Sequence, residues 1–230
     1  MELDFSAFPQ RPLEQQASFR FFTPGPVGRL ETVLNRGQGE DRHHAVAVVC
    51  HPHPLYDGSM HNKVTYTLAR TLNQQGVPAL RFNFRGVGDS EGVYDQGEGE
   101  TDDLLAVIEQ ARALYPGREV WIAGFSFGAY IALRAIGRAD CAHLFTIAPP
   151  VNFFDFSRLR TPRCPWLLVQ GEEDEIVPCE QVVSWAKSLR PGPELVVLPE
   201  VGHFFHRKLG LLRSVLENHL QATAAAPLAL

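Results

Sequence analysis

Two stretches hold residues whose types and spacing could do chemistry. In "GFSFG", residues 124–128, a serine stands between two glycines in the pattern G-x-S-x-G. In "VVCHPHPLYDGSMHNK", residues 48–63, an apolar run ends in His51 and His53, interleaved with prolines. A serine hydroxyl is a poor nucleophile at neutral pH, so it needs a general base and a third group that orients the base. Downstream, "GEEDEIVP" (171–178) supplies carboxylates at 172–175, and "EVGHFFH" (200–206) supplies His203 and His206. His51-x-His53 could also offer two ligands to a metal, with His43, His44 and His61 nearby. No carboxylate or cysteine completes a recognisable ligand spacing around them, so no metal is expected.

These residues need elements to position them. "SFRFFTP" (18–24) and "GRLETVLN" (28–35) read as an antiparallel hairpin joined by a Pro-Gly-Pro turn. "HAVAVVCH", "EVWIAGF", "HLFTIAPP", "WLLVQG" and "ELVVLP" are apolar runs that suit buried strands, as is "PALRFNF" (78–84). Between them lie helical patterns at 61–75, from Thr101 or a neighbouring acidic cap through 114, at 126–138, about 179–189 and about 204–220. Buried strands alternating with helices predict a three-layer α/β/α fold with a mostly parallel sheet of about eight strands. The serine then sits on a strand–turn–helix junction at the carboxyl end of the sheet, where the helix N-terminus offers backbone donors. The carboxylates and histidines fall in loops at the same end, where open α/β sheets bind ligands.

Composition bounds the function. The 230 residues, 45% hydrophobic and 20% charged, suit a globular protein with a substantial core. The formal net charge of −5 argues against nucleic acid or an anionic membrane as partner. "MELDFSAFPQRPLEQQ" carries acids where a signal peptide has bases, and no stretch approaches the roughly 18 apolar residues of a membrane span. Cys50, Cys141, Cys164 and Cys179 are scattered without a CxxC, which suggests neither a disulfide framework nor a zinc ribbon. A cytoplasmic protein of one domain, residues 1–230, with a mobile tail over 221–230, is the expectation. Gly86-x-Gly88 with Gly92 is spaced one residue too widely for a dinucleotide loop.

Over residues 18–220 the chain resembles the α/β-hydrolase superfamily. Its chain order of serine, acid and histidine is met here, and its acid-loop pattern appears as Gly171, Asp174 and Val177, which singles out Asp174. The pair Gly202-His203 singles out His203 over His206. In this superfamily the loop after the "VAVVC" strand commonly begins His-Gly and gives one N–H to an oxyanion hole; the residue after the nucleophile, here Phe127, gives the other. Pro52 stands where glycine is usual, and proline has no N–H, so the donor is expected at His53 or else Leu55. The Arg85-Gly-x-Gly-x-Ser stretch matches the loop that buttresses the active-site end, with Arg85 expected as an ion-pair partner and a substrate clamp as the alternative.

Only residues 151–165 separate two strands where larger relatives insert a lid, so the resemblance implies a small lidless hydrolase. It is similar to small carboxylesterases and the dienelactone hydrolase-like group; the latter commonly use cysteine, and Ser126 departs from that. The implied activity is hydrolysis of short- to medium-chain carboxylic esters by a Ser126–His203–Asp174 triad, without cofactor. A hydrolase or acyltransferase for another bond (thioester, amide, C–C) or a non-catalytic ligand-binding protein on the same fold are the alternatives. Tyr56, Phe125, Phe153 and Phe204 are the candidate substrate contacts, with Met60 beside them.

Overall fold

A computed structural model describes residues 18–225. The acidic N-terminal stretch and residues 226–230 of the expected tail lie outside the described residues. Strands β1 (Ser18–Gly25) and β2 (Gly28–Asn35) form the expected hairpin. Strands β3 (Ala45–Cys50), β4 (Ala79–Phe82), β5 (Glu119–Phe125), β6 (His143–Ile147), β7 (Trp166–Gly171) and β8 (Glu194–Leu198) follow. Helices α1 (Lys63–Gln74), α2 (Glu98–Leu114), α3 (Phe127–Ala135), α4 (Cys179–Ser188) and α5 (Leu209–Ala225) fill the intervals.

One eight-stranded sheet results, in the order β1-β2-β4-β3-β5-β6-β7-β8. The two pairings that involve β2 are antiparallel and the rest are parallel. Both faces are covered, which is why the central strands read as unbroken apolar runs. Val46, Val48 and Cys50 of β3 pack with Ile108 of α2, Ile131 of α3 and Val182 of α4. Ala45, Ala47 and Val49 turn to the other face, against Leu68 and Leu72 of α1 and Leu216 of α5. Period-two alternation thus feeds two cores from one strand. No lid is inserted after β6, and among the described residues no helix is long and apolar enough to cross a membrane.

Two boundaries differ from the sequence expectation. Helix α2 begins before Thr101: the Gly97 N–H donates to the buried Glu100 carboxylate at 2.7 Å, and Thr101 Oγ1 donates back to the Gly97 carbonyl at 2.6 Å. Glu100 at the third helical position, rather than Thr101, closes the N-terminus. Helix α5 starts at Leu209, not 204, because Phe205 and Arg207 hold φ of 53° and 60°, outside the helical region. It runs on to Ala225, so residues 221–225, expected in a mobile tail, are helical.

Two histidines are built in neutral. His51 is fully buried; Nδ1 lies 2.6 Å from the Pro52 carbonyl, so it carries the proton, and Nε2 accepts the Phe84 N–H at 3.0 Å. Burial pushes its pKa down to about 3, against the pull of the Pro52 carbonyl. His143, buried at the start of β6 and stacked on Phe145, is likewise pushed down to about 3 by burial and by neighbouring His219. The unfolded chain protonates these rings near pH 6.5 and the folded chain does not, so stability they permit at neutral pH is lost as pH falls from about 6.5 towards 3. Urea unfolding between pH 7.5 and 4.5 should show a flat upper region. Below pH 6.5 stability should decline, approaching about 1.4 kcal/mol per pH unit for each ring. A profile flat down to pH 4.5 would contradict the assignment.

Candidate active site

Ser126 sits at the β5–α3 junction with φ 53° and ψ −118°, a conformation that a non-glycine residue adopts only when its surroundings force it. The two flanking glycines show what forces it. A Cβ on Gly124 would lie 2.2 Å from the Gly128 carbonyl oxygen, and one on Gly128 would lie 2.5 Å from the Cys50 oxygen and 2.6 Å from that of His51. Only glycine allows the first turn of α3 to fold back on β5 while pressing on the end of β3. The Ser126 N–H is held by the Ile147 carbonyl at 2.8 Å, which ties the turn to β6 as well.

His203 reaches this serine from the loop after β8, with Nε2 3.1 Å from Ser126 Oγ. Its Nδ1 lies 2.8 Å from Asp174 Oδ2, in the loop after β7. All three side chains are buried. Since an ionised carboxylate only accepts, Nδ1 carries the proton and Nε2 is left to accept from the serine hydroxyl. Burial alone would raise the Asp174 pKa, but hydrogen bonds from His203 and from the Val177 and Ile176 N–H groups outweigh it and hold the carboxyl below its ordinary range. The fold thus places Ser126, His203 and Asp174 in one hydrogen-bonded row, from three connections at one end of the sheet.

Several supporting residues escaped the sequence reading. Gln170, the residue before the last of β7, donates Nε2–H to Asp174 Oδ2 at 2.9 Å and to the Val177 carbonyl at 3.1 Å. Glu175 accepts the His203 backbone N–H at 3.0 Å, which gives the acidic run "EEDE" a second working member. The Glu175 contact joins a side chain to a loop 28 residues on, so spacing alone could not reveal it. Arg85 behaves as expected: its guanidinium forks onto Asp103 of α2 at 2.7 and 3.0 Å, and the same carboxylate takes its backbone N–H.

The proline-rich loop resolves into two histidines with different jobs. His51 has both ring nitrogens committed to backbone, pinning the end of β3 to the end of β4. His53 packs its ring among Tyr56, Tyr94, Phe127 and Phe154. Its Nδ1 accepts the Leu55 N–H at 3.2 Å, so the proton of the neutral ring is on Nε2, which donates to Tyr94 Oη at 3.1 Å. Burial lowers the His53 pKa, in keeping with that neutral form. Leu55's N–H is therefore turned to the His53 ring. Among the described residues, no protein acceptor takes the N–H of His53 or of Phe127.

Tyr56 (81% exposed), Phe153 (63%) and Phe204 (41%) stand on three loops at this end of the sheet, with open aromatic faces. Phe204 lies edge-on to the His203 ring, with centroids 5.1 Å apart. Phe125 differs from its expected place. It is fully buried in the core, its ring 5.1 Å from that of His203, because the last residue of β5 points into the layer between the sheet, α1 and α5. It supports His203 instead of lining a cleft, and Met60 is buried too.

A family model described as alpha/beta hydrolase fold matches residues 48–160. The crystal structure of XC6422 from Xanthomonas campestris, described as an α/β serine hydrolase without lid, is 43% identical with a TM-score of 0.88; the match covers 94% of this chain and all of that one. An α/β serine hydrolase homologue from Coxiella burnetii is also 43% identical, with a TM-score of 0.84, over 88% of this chain and 97% of the other. The uncharacterized protein RP471 of Rickettsia prowazekii is 34% identical over 85% of this chain and 86% of its own length.

The hydrogen bond to His203 gives Ser126 a base within reach, so an activated hydroxyl is the expected outcome at this position. A fluorophosphonate probe should label one residue, located at Ser126 by peptide mass. Replacing Asp174 with Asn should slow labelling by roughly 10²–10⁴-fold, since an amide in that place favours the wrong imidazole tautomer. Labelling at another serine, or an unchanged rate in D174N, would refute the coupling.

Proposed function

The chain belongs to the α/β-hydrolase superfamily, among its lidless serine hydrolases, and we propose that it cleaves short- to medium-chain carboxylic esters through an acyl-enzyme. The observation that carries the reading is the buried relay in which Asp174 Oδ2, His203 and Ser126 Oγ follow one another at 2.8 and 3.1 Å. In the proposed reaction Ser126 Oγ attacks the ester carbonyl while His203 Nε2 takes its proton. Asp174 holds the tautomer and stabilises the imidazolium that forms. His203 then gives the proton to the departing alcohol. A water molecule, deprotonated by the same imidazole, attacks the acyl carbonyl and releases the acid.

Negative charge develops on the carbonyl oxygen in each step. The Phe127 N–H, at the first position of α3, is well placed to receive it, helped by the positive end of the helix. The proposed second donor is the His53 N–H, because Leu55's is engaged by the His53 ring. The prolines on either side and the Tyr94 contact fix that loop before any charge forms. The exposed rings of Tyr56, Phe153 and Phe204 support an apolar acyl or alcohol group of modest size at the mouth. No step requires a cofactor.

A series of p-nitrophenyl esters from acetate to laurate tests the reading. Turnover by the wild type should peak at a short or medium chain and fall by roughly 10³-fold or more in Ser126→Ala. Absence of turnover at every length, or equal turnover by S126A, would overturn it in favour of another bond or a binding role.

The donor assignment has its own test. His53 has φ −56°, which proline can adopt, so His53→Pro removes the N–H with that angle retained, while His53→Ala removes only the ring. The expected kcat of H53P is roughly 10²-fold below that of H53A. Equal values in the two variants would remove His53 from the oxyanion hole.

A further inference from the structure

At the amino ends of the sheet, away from Ser126, two cysteines come together from distant parts of the sequence. Cys141 lies just before β6 and Cys164 just before β7. These strands are parallel neighbours, with Leu144 level with Trp166, and the Leu144 N–H donates to the Pro165 carbonyl at 2.9 Å. Continuing that register upstream sets position 164 beside 142, one residue from Cys141. Neighbouring strands lie about 4.8 Å apart, and a disulfide spans Cα atoms about 4.4–6.8 Å apart. The two side chains face one another closely enough for each thiol to shift the other's pKa, and the Cys141 thiol donates to the His143 carbonyl at 3.1 Å.

The pair is accessible. Both residues are half-buried, and both line an open cavity of about 590 Å³ with Asp140, Arg160, Thr161 and Arg163. Cys50 is fully buried within β3, and Cys179 stands apart at the start of α4. The other two cysteines therefore lack a thiol partner.

We propose that Cys141 and Cys164 form a reversible dithiol–disulfide pair that reacts with hydrogen peroxide. The Cys164 sulfur attacks the peroxide O–O bond, giving a sulfenic acid and releasing hydroxide, which leaves as water after taking up the thiol proton. The Cys141 sulfur then displaces the sulfenic oxygen as a second water and closes the S–S bond. Two thiols and one peroxide yield one disulfide and two waters, and a dithiol such as dithiothreitol returns the two electrons by exchange. The order follows from the two environments. The neighbouring Cys141 side chain lowers the Cys164 pKa, whereas the Cys141 thiol is pushed well up by its Cys164 neighbour and by burial.

The bond would tie together the entry ends of β6 and β7. Both strands lead to the site: β6 runs into the segment bearing Phe153 and Phe154, and β7 into the loop bearing Asp174. Oxidation would thus restrain the segment that stands where a lid would be, from the side opposite the serine.

The test uses the whole chain, reduced and freed of reductant, then exposed to a small excess of hydrogen peroxide. The intact mass should fall by 2 Da, two reactive thiols should disappear, and fragmentation of the digest should place the link between Cys141 and Cys164. Dithiothreitol should restore both thiols. In Cys141→Ser, dimedone should trap a sulfenic acid on Cys164; in Cys164→Ser, Cys141 should stay reduced. Mass gains of 16 or 32 Da without loss of 2 Da in the wild type, a link involving Cys50 or Cys179, or only intermolecular dimers would overturn the proposal. The wild-type map decides the matter even if a variant folds poorly.

Discussion

The structure turns on the contact between the first turn of α3 and the backbone ends of β5 and β3. Carbonyl oxygens stand 2.2–2.6 Å from where a Cβ would be at Gly124 and Gly128, so two side chains are deleted to let three segments of backbone meet. That meeting forces Ser126 into positive φ and holds it there through its hydrogen bond to Ile147. A residue in such a conformation costs of order 1–3 kcal/mol, which the packing of α3 against the sheet must offset. The same contact sets the N–H of Phe127 next to the loop that carries His53. One steric constraint thereby fixes the height of the serine, the direction of its hydroxyl and the relation of two donor candidates.

Histidine serves this framework in two opposite ways, and the difference is in what each ring nitrogen meets. His51 gives its proton to one carbonyl and accepts one N–H, so it works as a neutral cross-link between strand ends. Burial disfavours the charged ring, and protonation would also set a positive nitrogen against the Phe84 N–H, which accounts for the low pKa. His203 instead has an anionic partner on one nitrogen and a hydroxyl on the other. A proton gained from the serine would find the Asp174 carboxylate already aligned to balance it. Similar burial therefore yields a strut in one case and a proposed proton carrier in the other.

The sequence made the strands and the Ser–Asp–His set legible for a physical reason. A doubly covered strand is apolar at most positions, and a tight strand–turn–helix must have glycines at fixed offsets, so both leave local marks. The acid and histidine were legible mainly by resemblance, since Glu172, Glu173 and Glu175 flank Asp174 with the same charge. What failed to show were features decided by distant parts of the chain. Phe125 looked like a cleft residue because it touches Ser126 in sequence, yet strand alternation sends it under His203. The start of α5 was hidden because Phe205 and Arg207 take positive φ without a glycine to announce it. Tyr94 and Glu175 act through contacts with loops 41 and 28 residues away in sequence, which spacing does not bring together.

A serine hydrolase that lacks a lid cannot gain its electrostatic stabilisation by closing over the substrate and expelling water. The donors must already be in place when substrate arrives, and rigidity has to come from the loops themselves. The arrangement around His53 meets that demand. Its ring is clasped by Tyr56, Tyr94, Phe127 and Phe154, and Phe154 stacks on Tyr130 of α3 with centroids 4.4 Å apart. Across the site, Asn152 donates to the Ile176 carbonyl at 3.1 Å, joining the short segment after β6 to the acid loop. The buried rings of this cluster brace the loops, while Tyr56 and Phe153 keep open faces to solvent. A hydrolase so built has no closing lid to add selectivity. If esters are the substrates, as proposed, discrimination among them would arise at the exposed rings, whose apolar contact rewards each added methylene by less than about 1 kcal/mol.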